Sequence, residues 1–597
     1  MSNTERPTIK VDGIEIAEDR YEILTSVVVE QSVHVPDMFT IVFYDPDFEL
    51  FDEDAFTIGS EIEIAFADSD EEKTITQSEV TAIAVQPAPS GRHELVVSGL
   101  GRGRRLASGS KIKIFEEVTD SDIAREIAGE YGLTPDVDTA STTYPWVIQT
   151  TDDYSFLSER ARLSGFQWWV EDETLYFKKK IKDGSSPKRT WPDDLFSFKV
   201  RFSAAEAVGD VTVRGWDPET QQSFTGTSSV TAGADELGTT ASAATAANTA
   251  MATFEAEPMT GLAPVGSSVE ADALADSIKQ LRIAEEVEAR GISLGDPSIV
   301  AGTEVEIDGM GEKLSGNYLL TSVDHVFNAG DRYITRFRSG GRQPASLVDM
   351  LGGSSGTQLA ASGDAGLGAR VISGVVISVE DPDAQGRVQV NFPALGDDVS
   401  SSWARLCAPG AGEERGFQIV PEVGDEVLVA FENGNPRMPI VLGGVWSKKL
   451  KAPWAQAEAV EGGSVTKKGY TSRVGHTLLF EDGDSPDAKA VAVDLSDGAT
   501  RFRLGEDAVD LDAAKAITIT GQEDITIKTD TSGVTIEGSS ITIKATGDLS
   551  LEGANVNIKG TAGVTVQGAK TDVKADGMLN VQAGGIAAVK GSMVQLG

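Results

Sequence analysis

The carboxyl-terminal end of the chain repeats one hydrophobic pattern about ten times. Over residues 516–597 aliphatic side chains recur in pairs two positions apart: Ile517/Ile519, Ile525/Ile527, Val534/Ile536, Ile541/Ile543, Leu549/Leu551, Val556/Ile558, Val564/Val566, Leu579/Val581 and Val594/Leu596. Most successive pairs lie seven to nine residues apart. Residues i and i+2 of a strand share a face, so each unit predicts a short strand with two aliphatic side chains inward and polar residues outward. Gly521, Gly533, Gly538, Gly547, Gly553, Gly560, Gly563, Gly568, Gly577, Gly584 and Gly591 fall between the units, where corners with positive φ are expected. The whole reads as a β-solenoid.

Periodicity leaves open how many chains build it. One chain placing three units in each coil would make a stub roughly 17 Å high at ~4.8 Å per rung, whereas three chains each supplying one face in turn would reach roughly 50 Å. The stretch contains no Pro, Cys, His, Arg, Phe, Tyr or Trp, so no disulfide or aromatic plug closes a single-chain coil. A homotrimeric, triple-stranded β-helix is the expectation.

Upstream the alternation is that of ordinary half-buried strands. Segments 21–33, 38–44, 61–66, 79–85 and 93–100 predict a barrel or sandwich. Two helices interrupt it. The first is capped by Thr119 or Ser121, carries Ile123, Ile127 and Tyr131 on one face and stops at Gly132; the second runs over 154–164 and stops at Gly165. With strands at 166–170 and 174–178 they form a small α/β insert over about 116–180. Strands return at 196–215, an Ala/Ser/Thr-rich stretch at 227–253 reads as a loop, and a helix carrying Leu274, Ile278 and Leu281 precedes strands at 303–307, 316–326 and 332–338. Residues 345–369, rich in Gly, Ser and Ala, predict a linker. Residues 370–447 predict a compact barrel of strands 370–380, 386–392, 402–407, 416–420, 426–431 and 438–443, the pattern of an OB-fold. Lead-in strands follow over 448–515 and the solenoid over 516–597. The fold class is mainly β.

Composition narrows the function. The chain has 597 residues, with 51 Lys+Arg against 93 Asp+Glu and a net charge of −42. Such a balance argues against nucleic acid or an anionic membrane surface as a standing partner. The final 82 residues hold six lysines and eight acids, so about −40 of the charge lies upstream. The single Cys407 excludes an intrachain disulfide and is expected to be small and buried. No apolar signal segment opens the chain and no run reaches membrane-spanning length, so cytoplasmic assembly is expected.

The segments DPDAQGRVQVNF (381–392), SSWARLCAPGAG (401–412), GFQIVPEVGDEVLVAFENGNPRMPIVLGGVW (416–446) and SRVGHTLLFED (472–482) resemble the spike proteins of contractile injection machines, the VgrG family. DIAREIAGEYGL (122–133), FLSERARLSGFQWWVEDETLYF (156–177) and GTEVEIDGMGEKLSGNYLLTSVDHVFNAGDRYITRF (302–337) resemble phage tail hub, or late-control, domains. The resemblance implies a hub over 1–344 with two tube-like β-barrels per chain, an OB-fold collar over 370–447 and a β-helix needle over 516–597. It further implies a homotrimer, with tail tube, tube-initiator and baseplate proteins at the hub. A small PAAR-like tip protein is then expected on Met593, Val594, Gln595, Leu596 and Gly597. The target membrane is touched only transiently. The segment 336–351 and the lack of a fused effector incline the reading toward a phage-tail-like particle released outside the cell, with any cargo on a separate chain. The alternative is a trimeric fibre or adhesin whose amino-terminal domains bind a receptor.

Catalytic readings are weak, and no enzyme, metal or cofactor is expected. Gly99-Leu100-Gly101-Arg102-Gly103 with Arg104 and Arg105 suggests an anion loop, but no suitably patterned helix follows. His34, His93, His325 and His476 are far apart, without H-x-H or HExxH spacing. Acid pairs Asp397/Asp398 and Glu413/Glu414 are what a chain with 93 acids contains. The 65 residues of 451–515 are too few for a hydrolase.

Overall fold

The structure is a computed structural model that describes residues 6–67, 72–87, 93–179, 186–205, 207–233, 235, 237–263, 265–340 and 371–595. It divides into two compact units, Met1–Ala455 and Gln456–Gly597. The expected linker at 345–369 lies outside the described residues.

An eleven-stranded antiparallel sheet organises the first unit, in the order Leu195–Phe202, Val287–Leu294, Ile334–Ser339, Ser322–Asn328, Leu24–Ser32, Met38–Tyr44, His93–Gly101, Glu72–Pro87, Glu61–Ala67, Thr8–Val11, Ile14–Glu15. The pairing of Leu24–Ser32 with Ser322–Asn328, in register from Ser32 opposite Ser322 to Ser26 opposite Asn328, fuses strands from both ends of the hub region. Alternation along these strands sends Val27, Val29, Phe39, Ile41, Phe43, Ile62, Ile64 and Val97 fully inward on one core. A second core gathers Leu195, Ala289, Ile299, Val305, Ile307, Tyr318, Leu320 and Val323. Gly99 is obligatory where sheet and ring meet, because a Cβ there would lie 2.1 Å from the Glu79 carbonyl oxygen and 2.3 Å from Phe39 Cε1.

The insert forms as its caps direct. Helix Asp120–Glu130 starts at a reciprocal box between Thr119 and Asp122, and helix Asp153–Ser164 starts at Asp152 and ends at Gly165 with φ 72°. Ile123, Ile127, Leu157, Leu175 and Phe177 close its core. The segment 227–253 departs from the expected loop: Thr240 caps a helix, Ala241–Ala250, whose Ala243, Ala244 and Ala247 are buried. Alanine is the strongest helix former, and a stripe of small residues leaves no large apolar period to detect.

Residues 371–446 form a five-stranded barrel in the order Gln389–Asn391, Ile372–Ser378, Glu426–Phe431, Pro439–Gly444, Arg405–Leu406. Reciprocal backbone bonds between Val388 and Ala404 close the ring. Val376, Val388, Val390, Phe392, Val427, Val429 and Val441 fill it. Two expectations fail here. Segment 416–420 pairs with no strand of the chain and is exposed, and Cys407 is exposed rather than buried. Both lie where apolar residues turn outward, and apolar spacing alone cannot tell a core face from an exposed one.

The second unit opens with an antiparallel meander: Lys467–Thr471, Thr477–Asp482, Lys489–Asp494, Arg501–Gly505, Val509–Asp512. From residue 514 to 595 every residue is exposed and, among the described residues, none joins a strand ladder. The backbone instead bends at regular intervals, leaving straight segments that each carry one aliphatic pair. The glycines here do not use positive φ as expected; Gly498 is the last described residue to do so. At Gly538, Gly553, Gly568 and Gly591 an added Cβ would lie 3.1–3.4 Å from the carbonyl oxygen two residues ahead. At these four corners close backbone approach favours glycine, whereas Gly533, Gly547, Gly563, Gly577 and Gly584 would have nothing within 4 Å of an added Cβ.

Candidate functional site

The residues that tempted a catalytic reading are scattered and occupied. His325 is fully buried, its Nδ1 2.5 Å from Tyr333 Oη, and burial lowers its pKa to about 3. His34 is likewise lowered to about 4 by burial. His93 stacks on Phe48 with centroids 4.3 Å apart, and His476 Nδ1 accepts from Ser496 N at 3.0 Å. Arg104 and Arg105 both pair with Glu79, while Arg102 bridges Glu61 and Glu173, so the basic run after Gly99 is spent on ion pairs. Asp397, Asp398, Glu413 and Glu414 are exposed. Among the described residues no three metal-ligating side chains gather.

Burial is the largest cause, and the nearby Glu171 and Asp172 the next, that push the Asp37 carboxyl up to about 8. A different carboxylate shapes the OB barrel. Asp381 accepts from the backbone N–H groups of Asp383 (3.1 Å), Gln385 (2.9 Å) and Arg387 (3.2 Å) and from Arg387 Nε (3.0 Å) and Nη2 (2.7 Å). The Arg387 guanidinium first, and these backbone donors after it, hold Asp381 far below the ordinary carboxylate range. The DPDAQGR turn is thereby a rigid clamp.

What stands out is apolar surface left uncovered. On the barrel, Phe417 (67 % exposed), Ile419, Val423 and Trp446 (70 %) point outward. On the meander, cross-strand register lines up Tyr470, Leu478, Val493, Phe502 and Leu511 beside Phe480, Val491, Leu504 and Val509 on one face, each at least 38 % exposed. In the terminal segment the paired residues run from Val594 at 47 % to Val581 at 78 % exposed. Of the expected tip residues, Met593 and Val594 are exposed at 85 % and 47 %, Gln595 is exposed, and Leu596 and Gly597 lie outside the described residues. An apolar surface of this extent marks an interaction surface. The described residues thus combine an antiparallel sheet, a five-stranded barrel and an exposed apolar segment in one mainly β chain.

The particular relatives agree. The Alg8 N-terminal domain family matches residues 2–328, more than half of the chain, and the chain belongs to that family. The type VI secretion system/phage-baseplate injector OB domain matches residues 372–446. The chain is similar to the type VI secretion system spike protein VgrG3 of Vibrio cholerae, 33% identical over 104 residues, 17% of this chain and 10% of that protein. It is similar to spike protein VgrG4b of Pseudomonas aeruginosa, 41% identical over 76 residues, 12% and 9% of the two chains. The matched part spans about a tenth of these relatives' length. The fold is similar to a chain of the Francisella PdpA-VgrG complex, with a TM-score of 0.50 at 9% identity, covering 85% of this chain and 80% of that one. The curated proteins it matches are thus type VI secretion system spike proteins.

Proposed function

We propose that three copies of this chain form the central spike of a contractile injection machine, and that the spike pierces the target envelope when a sheath contracts. The observation that carries the reading is the segment 514–595: regular aliphatic pairs, all exposed, with no ladder inside the chain. A solenoid built by one chain would pair each segment with the one three units on and bury both. Three chains interleaved satisfy the same backbone groups between copies and close the aliphatic rows into a dry core. The exposed meander face and the barrel's Phe417, Ile419 and Trp446 would be covered by the same association.

In this reading each chain contributes two barrels to a six-barrel hub ring, matching a sixfold tube through a threefold spike. Tube and baseplate proteins meet the hub, and a PAAR-like tip caps Met593, Val594, Gln595, Leu596 and Gly597. Among the described residues no helix is long and apolar enough to cross a membrane, in keeping with a passing rather than resident relation to the bilayer. A closed three-chain shaft has no lateral edge from which unfolding can start, and so resists load. Light scattering of the purified protein tests the assembly: three times the 63.0 kDa of one chain is expected, and a stable species at 63.0 kDa would refute it.

A further inference from the structure

The OB barrel meets the rest of the first unit at one charged junction. Arg437, on the turn before strand Pro439–Gly444, donates from Nη1 and Nη2 to the two carboxylate oxygens of Glu270, at 3.0 and 2.6 Å. Glu270 sits in the first turn of helix Ser268–Ala284, where its N–H is capped by Ser267 Oγ and its Oε2 also accepts from Gly266 N at 3.1 Å. The Arg437 guanidinium lies 5.0 Å from the ring centroid of Tyr144, and that of Arg160 lies 4.4 Å from the same ring. Arg160 Nε donates in turn to Asp120 Oδ1 at 2.6 Å, with the two side chains 7% and 1% exposed. Two cations and two carboxylates thus surround one aromatic ring, and their charges cancel.

The base of Arg437 is fixed from the barrel side. Asn435 Oδ1, on a residue 3% exposed, accepts from Arg437 N at 3.0 Å, and Ser402 Oγ donates to the Arg437 carbonyl at 3.0 Å. Beside this cluster Ile114 and Ile148 of the insert pack on the barrel core. An aliphatic contact of that kind tolerates sliding. A bidentate fork fixes both distance and direction, and separating it strands a carboxylate in a half-buried site.

We propose that the Arg437–Glu270 fork over Tyr144 is the lock that sets the OB barrel's orientation on the hub region, and that a push on the hub reaches the barrel through it. The second clause rests on the spike reading; the lock does not. The test uses the full-length protein with Arg437→Met, Glu270→Gln and both together, following hydrogen exchange of Lys113–Thr119, Thr143–Gln149 and Pro439–Gly444 alongside light-scattering mass. Each single variant should raise exchange in these segments about tenfold to a hundredfold, the range set by a charge-assisted contact. The double variant should exceed neither, and exchange of Leu24–Ser32 and Met38–Tyr44 should not change. Arg437→Lys, which keeps charge but not the fork, should fall between. Unchanged exchange in Glu270→Gln, which keeps the side chain's size but removes its charge and turns one acceptor oxygen into an NH2 donor facing Arg437 or Gly266 N, would overturn the lock, as would additive effects in the double variant. A monomeric mass with the exchange pattern as stated would refute the spike and uphold the lock.

Discussion

Leu551→Ala separates a three-chain shaft from a solitary extended tail. Within one chain Leu551 is 65% exposed and its partner Leu549 55% exposed, so in a tail that associates with nothing the truncation falls among surface substitutions and changes stability by no more than about 0.5 kcal/mol. In the shaft the same side chain lies inside a dry core, where Leu→Ala costs about 2–5 kcal/mol. Three copies meet at each level, so one substitution carries about 6–15 kcal/mol per trimer when the sites act independently. The mutation leaves the hub, the barrel and the meander untouched, and Ser550→Ala, one position away on the opposite face, is the control. Dissociation in urea followed by light scattering reads the difference. Leu551→Ala should lower the midpoint strongly and Ser550→Ala should leave it in place. Equal midpoints for Leu551→Ala and the unaltered protein would refute the inward placement of the aliphatic rows.

Gly99→Ala should destabilise the hub by about 1–3 kcal/mol in thermal or denaturant unfolding, because the added methyl overlaps the Glu79 carbonyl and the Phe39 ring and the sheet must shift; an unchanged midpoint would show that the sheet yields freely. Asp37 has a folded pKa of about 8, above its unfolded value, so the folded chain binds the extra proton and stability falls as pH rises from about 4 through 8. Asp37→Asn should therefore raise stability at pH 8 and much less at pH 5, and an equal change at both would contradict the burial of its charge. Asp381 behaves oppositely: its folded pKa lies below the unfolded one, so its contribution is present above about pH 4 and is lost on further acidification. Asp381→Asn should remove that acid-dependent loss from the OB barrel's melting profile, and a profile as steep as before would move the dependence elsewhere.

Local chemistry was legible where a single segment decides the outcome. Thr119, one of two candidate caps, and Gly165 mark helix ends by side-chain and backbone rules that act within a few residues, while the Asp122 half of the box and the Asp152 cap went unmarked. The alternation of Val27 with Val29 and of Phe39, Ile41 and Phe43 likewise marks a buried face. Pairing between distant segments was not legible: nothing in Leu24–Ser32 specifies Ser322–Asn328 as its neighbour, nor does Arg437 announce a carboxylate 167 residues away. Helix Ala241–Ala250 escaped notice because its buried stripe is alanine. The outward Phe417 and Ile419 fit a strand pattern in sequence because apolar spacing alone does not tell an exposed apolar face from one facing the chain's own core.

Charge explains why the apolar surface lies where it does. The chain carries −42, of which the final 82 residues hold six positive and eight negative groups, so in the proposed trimer nearly all mutual repulsion would come from the residues upstream. Repulsion of that kind opposes association and is screened at distances beyond about 8–10 Å at ordinary ionic strength. The terminal segment has almost no net charge to repel and offers the longest apolar rows. Attraction and repulsion are thus segregated along the sequence, with cohesion concentrated in the near-neutral end and solubility in the acidic one. If three such ends wind together, each added rung would contribute burial with almost no net charge. On the proposed three-chain spike, the acidic surface and the aliphatic rows would be two halves of one solution to keeping exposed apolar ribbons from aggregating before they meet their partners.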